Sequence, residues 1–184
     1  MRVISGIQKG RILKSVTGKG TRPTTDKVKE SVFNMIGPYF AGGRGLDLFA
    51  GSGSLGIEGI SRGLDSVIFV DADRRAIETI RENLARCQFE EQAEVYRADW
   101  KKALHIISKR NLQFKIIWLD PPYHKHIYID VLKKVCKNEL IEPNGLIVCE
   151  HERSLKLPDQ VEALQRIKFV EYGTISVSIY QEGE

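Results

Sequence analysis

From residue 44 onward, two kinds of hydrophobic pattern alternate along the chain. Short apolar runs of five or six residues give way to longer segments in which apolar side chains recur every three or four positions. Read in order, they predict strand 45–49, helix 54–62, strand 66–71, helix 73–87, strand 93–97, helix 100–109, strand 115–120, helix 127–137 and strand 145–150. Strands alternating with helices imply a parallel sheet covered on both faces, joined by right-handed crossovers. The end of the chain departs from this rhythm: residues 167–172 and 174–180 flank Gly173 and predict an antiparallel hairpin added to the sheet. Between them residues 151–166 are poorly patterned; Pro158 interrupts them, and residues 161–164 read as a helical turn.

Ahead of the alternation, residues 2–5 and 11–16 can pair as a small hairpin around residues 6–10, followed by a glycine-flanked break at Gly18-Lys19-Gly20. Residues 21–26 supply a turn and candidate caps. Val28, Val32, Met35, Ile36 and Tyr39 then mark one apolar helix face, with Lys27, Lys29 and Glu30 off it. No internal repeat or linker is evident. The expected organisation is a basic extension over residues 1–29 and one catalytic domain over 30–184.

Composition agrees with one folded domain: 184 residues, 42% hydrophobic and 28% charged. No apolar run approaches the roughly 20 residues of a membrane span, and the N-terminus has no apolar leader, so the expected location is the cytoplasm. Cys87, Cys136 and Cys149 are far apart and read as reduced packing residues. Of the four histidines only His124 and His126 are close, which supplies no metal site. Charge is informative in its distribution. Residues 1–29 hold eight basic side chains against one acid, +7 in a chain of net +4, leaving −3 for the other 155. A basic arm on a mildly acidic body suits a phosphate-rich partner, and Lys9, Arg11, Lys14, Lys19, Arg22 and Lys27 are its candidate contacts. A disordered leader would lack the apolar beats at Val3, Ile4, Ile12, Leu13 and Val16.

Candidate chemistry begins at Asp47-Leu48-Phe49-Ala50-Gly51-Ser52-Gly53-Ser54-Leu55-Gly56, which runs from a strand into a helix. The glycines fit a nucleotide-binding G-x-G-x-x-G, and Asp71, 20 residues after Gly51, can accept from a ribose diol. Asp47, however, would repel a pyrophosphate and favour an ammonium group, and no second domain follows to present a hydride acceptor. A ligand with ribose, adenine and an amino-acid zwitterion fits these residues better: S-adenosylmethionine. Asp47, Phe49, Ala50, Gly51, Ser52, Gly53 and Asp71 are its candidate contacts, with Asp99 accepting from the adenine amino group and Trp100 as an apolar wall. Asp99 and Trp100 also have ordinary readings, as helix cap and packing residue, and Asp73 reads as the cap of helix 73–87.

The second chemical signal ends the fourth strand, where Ile116-Ile117-Trp118-Leu119 stops at Asp120-Pro121-Pro122-Tyr123. Two prolines hold the backbone extended, so Asp120 and Tyr123 project in fixed geometry at a strand's carboxyl end, where α/β sheets bind ligands. Such a device suits a flat amine: carboxylate and backbone carbonyl accept the amino hydrogens while the phenol covers the ring. Asp120, Pro121, Pro122 and Tyr123 are therefore the candidate catalytic residues.

Residues 4–11, Thr21-Arg22-Pro23-Thr24-Thr25-Asp26-Lys27-Val28-Lys29-Glu30-Ser31-Val32-Phe33-Asn34, Gly45-Leu46-Asp47-Leu48-Phe49-Ala50-Gly51-Ser52-Gly53 and Asp120-Pro121-Pro122-Tyr123 resemble the bacterial RsmD family over essentially the whole chain. That resemblance implies a class I, Rossmann-like, S-adenosylmethionine-dependent methyltransferase fold, mostly parallel, with seven strands of which the last is antiparallel. It implies methyl transfer to the N2 amine of a guanine in small-subunit (16S) ribosomal RNA; the expected partner is that RNA in a small-subunit particle, and the expected state is a monomer. Arg22 and its basic neighbours are expected to position the RNA, while Arg22-Pro23-Thr24 also closes over the cofactor. From the residues alone an adenine-N6 methyltransferase stays open. So do an NAD-dependent oxidoreductase and a non-enzymatic RNA chaperone that keeps the pocket.

Overall fold

The computed structural model describes residues 1–17, 25–122 and 125–183, with Lys125 described through its main chain. The chain divides into two compact units, Met1–Trp100 and Lys101–Glu184.

In the first unit, β1 (Arg44–Asp47), β2 (Ser66–Asp71) and β3 (Ala93–Arg97) lie parallel in the order β3-β2-β1. The central residues of β1 and β2, Leu46, Val67, Ile68, Phe69 and Val70, are buried, as continuous apolar strands require when both faces are covered, whereas the edge strand β3 is half-buried to exposed. Helix α2 (Ser54–Ser61) packs so closely on β2 that a Cβ at Gly56 would stand 2.4 Å from the Phe69 ring. Helix α3 (Arg74–Cys87) buries Ile77, Ile80 and Leu84 and is capped by the Asp73 carboxylate, which accepts from Arg75 N at 2.8 Å. Helix α1 (Asp26–Ile36) starts at Thr25, whose Oγ1 accepts from Val28 N.

The N-terminal segment does pair with itself: Arg2 and Ile12 form an antiparallel bridge, and Val3 N and Gly10 N bond across it. One side is core, with Val3 and Leu13 buried; the other is solvent, with Ile7 76% and Ile12 69% exposed. Gly6, at φ +85°, lets the turn touch α2, since a Cβ there would lie 1.7 Å from the Ser61 carbonyl oxygen.

Beneath this hairpin sits a buried ion cluster that the sequence pattern misassigned. Lys29, read as lying off the helix face, is 0% exposed. Its ammonium donates to Arg2 O at 2.6 Å and Ser54 Oγ at 2.9 Å, and approaches Glu58 at 3.4 Å, which uses all three donors. Glu58 is equally buried. One carboxylate oxygen accepts from Ile4 N and faces Lys29; the other accepts from Ser5 N and from Arg62 Nε at 2.7 Å. Arg62 continues to Pro38 O and lies over the Phe33 ring. Burial pulls the Lys29 ammonium below its ordinary value, although Glu58 acts the other way.

In the second unit, β4 (Phe114–Leu119) runs parallel to β5 (Ile141–Glu152). The sheet then turns antiparallel through β8 (Ile175–Glu182), β7 (Leu164–Tyr172) and β6 (Gln160–Val161). Helices α4 (Trp100–Lys109) and α5 (Lys125–Lys137) complete the elements. The predicted terminal hairpin is present as β7 and β8. The helical turn expected at 161–164 is not: Val161 and Leu164 pair across a two-residue turn in which Glu162 takes φ 51°. Their three-residue spacing mimicked a helix, but both side chains are buried as a strand pair. With this two-residue β6, the described residues form eight strands where seven were expected. Among the described residues, no helix is long and apolar enough to cross a membrane.

The ion cluster generates one prediction. Glu58→Gln removes the counter-charge of both Lys29 and Arg62 without changing side-chain volume, and should lower unfolding free energy by about 3 kcal/mol in urea denaturation. An unchanged midpoint would show that the cluster contributes nothing to stability.

Candidate active site

The glycine loop follows β1 and is held from below by acids. Gly51 takes φ 55° and Gly53 φ 77°, left-handed values that suit glycine, and Gly53 forms the N-cap of α2. Asp71, at the end of β2, accepts from Gly51 N through one oxygen and from Asp73 N through the other, both at 2.9 Å. Its main-chain carbonyl accepts from Ala98 N, which ties the end of β3 to the end of β2. Each Asp71 oxygen has a further lone pair for a ribose hydroxyl.

Asp47 stands deeper. It is 3% exposed, and its carboxylate accepts from Gly56 N at 3.1 Å, satisfying one of the amides at the start of α2. Burial pushes its carboxyl up to about 7; the Gly56 hydrogen bond opposes that shift, and the neighbouring Asp71 charge adds to it. A buried carboxyl in this state is poised to ionise beside a cation. Phe49, Gly51 and Ser52 are half-buried and Ala50 is buried. A Cβ built at Gly51 meets no atom within 4 Å, so the loop backbone faces open space there. An acid ready to ionise, a fixed acid with spare lone pairs and an open backbone suit S-adenosylmethionine's cationic and ribose portions.

Asp99 is exposed, two residues past β3 and directly before α4, and Trp100 is half-buried as the first residue of that helix. In the second unit Asp120 is exposed immediately beyond β4, whose Ile116 to Leu119 side chains are buried. Pro121 is buried and Pro122 exposed. The Asp120 charge is felt by the buried Tyr128 hydroxyl, which donates to Glu150 O and is held well above its usual range, mainly by burial. Lys19, Arg22, Thr24 and Tyr123 lie outside the described residues. Lys9, Arg11 and Lys27 are exposed, and Lys14 pairs with Glu82 at 2.8 Å. Among the described residues, no group of three or more His, Cys, Asp or Glu could hold a metal ion.

The sequence reading missed Asn83. It is fully buried in α3, where its Nδ2 donates to Ser52 O in the glycine loop and to Lys14 O, both at 2.9 Å, while its Oδ1 accepts from Lys14 N at 2.8 Å. Its signal was present in the sequence: a lone amide on the apolar stripe of Ile80, Leu84 and Cys87.

The raised Asp47 carboxyl has a consequence for stability. An unfolded aspartate titrates near 3.9 and the folded one near 7, so folding takes up a proton between roughly pH 4 and pH 7. Stability at this site is full below about pH 4 and falls as pH rises through 7. Asp47→Asn keeps an acceptor for Gly56 N and removes the titration. The variant should match wild type at pH 4 and exceed it by a few kcal/mol at pH 8 in denaturant melts. A difference that does not vary with pH would overturn this reading.

The family model described as conserved hypothetical protein 95 matches residues 1–181. YlbH of Bacillus subtilis, provisionally named an rRNA methyltransferase, is 52% identical over 99% of this chain and 99% of its own. Ribosomal RNA small subunit methyltransferase D of Haemophilus influenzae is 35% identical over 98% of this chain and 93% of its own. Among solved structures, yhhF of Escherichia coli, provisionally named a methyltransferase, superposes with TM-score 0.85 at 26% identity over 99% of this chain and 97% of that one. The architecture is thus the class I, S-adenosylmethionine-dependent methyltransferase fold, with a mixed α/β sheet and antiparallel C-terminal strands. The chain belongs to the conserved hypothetical protein 95 family, the family of ribosomal RNA small subunit methyltransferase D.

Proposed function

We propose that this chain transfers the methyl group of S-adenosylmethionine to the exocyclic N2 amine of a guanine in small-subunit ribosomal RNA. The reading rests above all on Asp120, an exposed carboxylate fixed at the end of a buried strand and followed by two prolines. Asp47, Phe49, Ala50, Gly51, Ser52, Gly53, Asp71, Asp99 and Trp100 hold the cofactor, and Arg22 and Thr24 close over it.

S-adenosylmethionine supplies an electrophilic methyl on a positively charged sulfur that departs with the bonding pair as the nitrogen lone pair forms the new bond. The residues must make that nitrogen reactive, because its lone pair is delocalised into the base. Asp120 and the Pro121 carbonyl accept the two amino hydrogens, which localises the lone pair and fixes its direction. The amine proton leaves towards Asp120 as its nitrogen gains charge. Pro121 and Pro122 hold that carbonyl and carboxylate still, and Tyr123 stacks on a base that is unpaired or flipped out. No covalent nucleophile is required.

Lys9, Arg11, Lys19, Arg22 and Lys27 hold RNA phosphates, whereas Lys14 is engaged by Glu82. The substrate is ribosomal RNA within a small-subunit particle, the enzyme acts as a monomer, and its place is the cytoplasm. The names of the family's members support ribosomal RNA as the substrate.

Asp120→Ala should lower methyl incorporation at least 100-fold while changing the Kd for S-adenosylhomocysteine by no more than a few fold. Full turnover in that variant would refute the amine-activation role. For the arm, Lys9→Glu with Arg11→Glu leaves the buried side of the hairpin intact. It should weaken RNA binding and flatten the dependence of log Kd on log salt by about two counter-ions. An unaltered slope would assign RNA binding to other residues.

A further inference from the structure

The N-terminal hairpin and the glycine loop share their hydrogen-bonding partners. Asn83 uses one amide hydrogen on Ser52 O of the loop and the other on Lys14 O, while its oxygen takes Lys14 N. Two donors facing carbonyls and one acceptor facing an N–H leave a single way to orient that amide. On the opposite side of the loop, Lys29 bonds at once to Arg2 O of the hairpin and to Ser54 Oγ, the residue after Gly53. A third, weaker contact joins Ser52 Oγ to Met1 Sδ at 3.8 Å. Asn83 and Lys29 are fully buried, so losing either bridge leaves a buried polar group without its partner.

We propose that Asn83, seconded by Lys29, is a positioning residue that couples RNA held on the hairpin to cofactor held on the glycine loop, so that each ligand tightens the binding of the other. This rests on the reading of the loop as the cofactor site and of the hairpin as an RNA contact. The hairpin's outer face is solvent-exposed with Lys9 and Arg11, whereas its inner backbone is bonded to the residues that carry the loop. A partner that restrains the hairpin therefore also restrains Ser52 and Ser54, and a ligand that orders the loop pre-orders the hairpin. By linkage the two effects are equal. The bridge touches no reacting atom, so it acts on affinity and not on the chemical step.

The test measures S-adenosylhomocysteine binding to the full-length protein by calorimetry, alone and with saturating small-subunit particles from cells lacking this gene. In wild type the particles should lower the Kd at least about fivefold, the lower end of ordinary couplings. In Asn83→Ala that ratio should fall towards one and the KM for S-adenosylmethionine should rise, while kcat at saturating cofactor stays within about twofold. A folded Asn83→Ala with the wild-type ratio overturns the proposal, as does a wild-type ratio of one. Failure of wild type to bind S-adenosylhomocysteine at all would instead overturn the cofactor reading, and the coupling with it. Hydrogen exchange on wild type tests the same point without a variant. Adding S-adenosylhomocysteine should slow exchange at the Ile4, Ser5 and Lys14 amides, all bonded to Glu58 or Asn83; protection confined to residues 47–71 would count against the coupling.

Discussion

Glu58 is the constraint on which the first unit depends. A carboxylate removed from water must have its lone pairs filled by donors, or its desolvation is uncompensated. Here four donors converge on it: two backbone amides from the hairpin, the ammonium of α1 and the guanidinium one turn along α2. The hairpin, α1 and α2 are therefore registered to one point. Removing any of them would expose the charge of the others, so the N-terminal segment is structural before it is anything else. Val3 and Leu13, buried beside the cluster, add the apolar part of the same attachment.

The glycine loop obeys a similar logic with a different result. Its two acids have main-chain duties independent of any ligand: Asp71 fixes Gly51 and the turn to α3, and Asp47 satisfies the start of α2. Pre-placing them this way lowers the ordering needed when a ligand arrives. The difference lies in burial. Asp71 is part-exposed and can accept further hydrogen bonds, whereas Asp47 is sealed against α2, and burial sets its protonation. One acid suits hydrogen bonding to hydroxyl groups; the other responds to charge.

How much of this was legible in the sequence follows from which forces are periodic. The β/α alternation and the terminal hairpin could be read because burial on both faces gives continuous apolar runs, and helix packing gives a three-to-four spacing. Asp73 was legible as a cap because capping is local. Strand β6 was not, since two residues joined by a tight turn have no period and Val161 and Leu164 matched a helical spacing by coincidence. Lys29 was counted with the basic arm because a lysine off an apolar face is ordinarily solvated. Only the distant Glu58, Arg2 carbonyl and Ser54 explain its burial. Asn83 left a trace as an amide on an apolar stripe, but its partners are 31 and 69 residues away, beyond any local pattern.

The same burial revises the electrostatics of the arm. A net +7 over residues 1–29 suggests eight cations presented to a partner, but Lys29 faces inward, Arg2 pairs with Asp26 and Lys14 pairs with Glu82. Among the described residues of this segment, Lys9, Arg11 and Lys27 are exposed cations that take part in none of these ion pairs, and the first two sit beside Ile7 and Ile12 on the outer face of the hairpin. Charge and exposed apolar surface are thus concentrated on the face turned away from Glu58, while the inner face is committed to the core and to the glycine loop. A hairpin divided in this way cannot move as a free arm. Whatever binds its outer face acts on a body that already carries the loop, and its influence reaches the first turn of α2 through the hydrogen bonds of the buried Asn83 and Lys29.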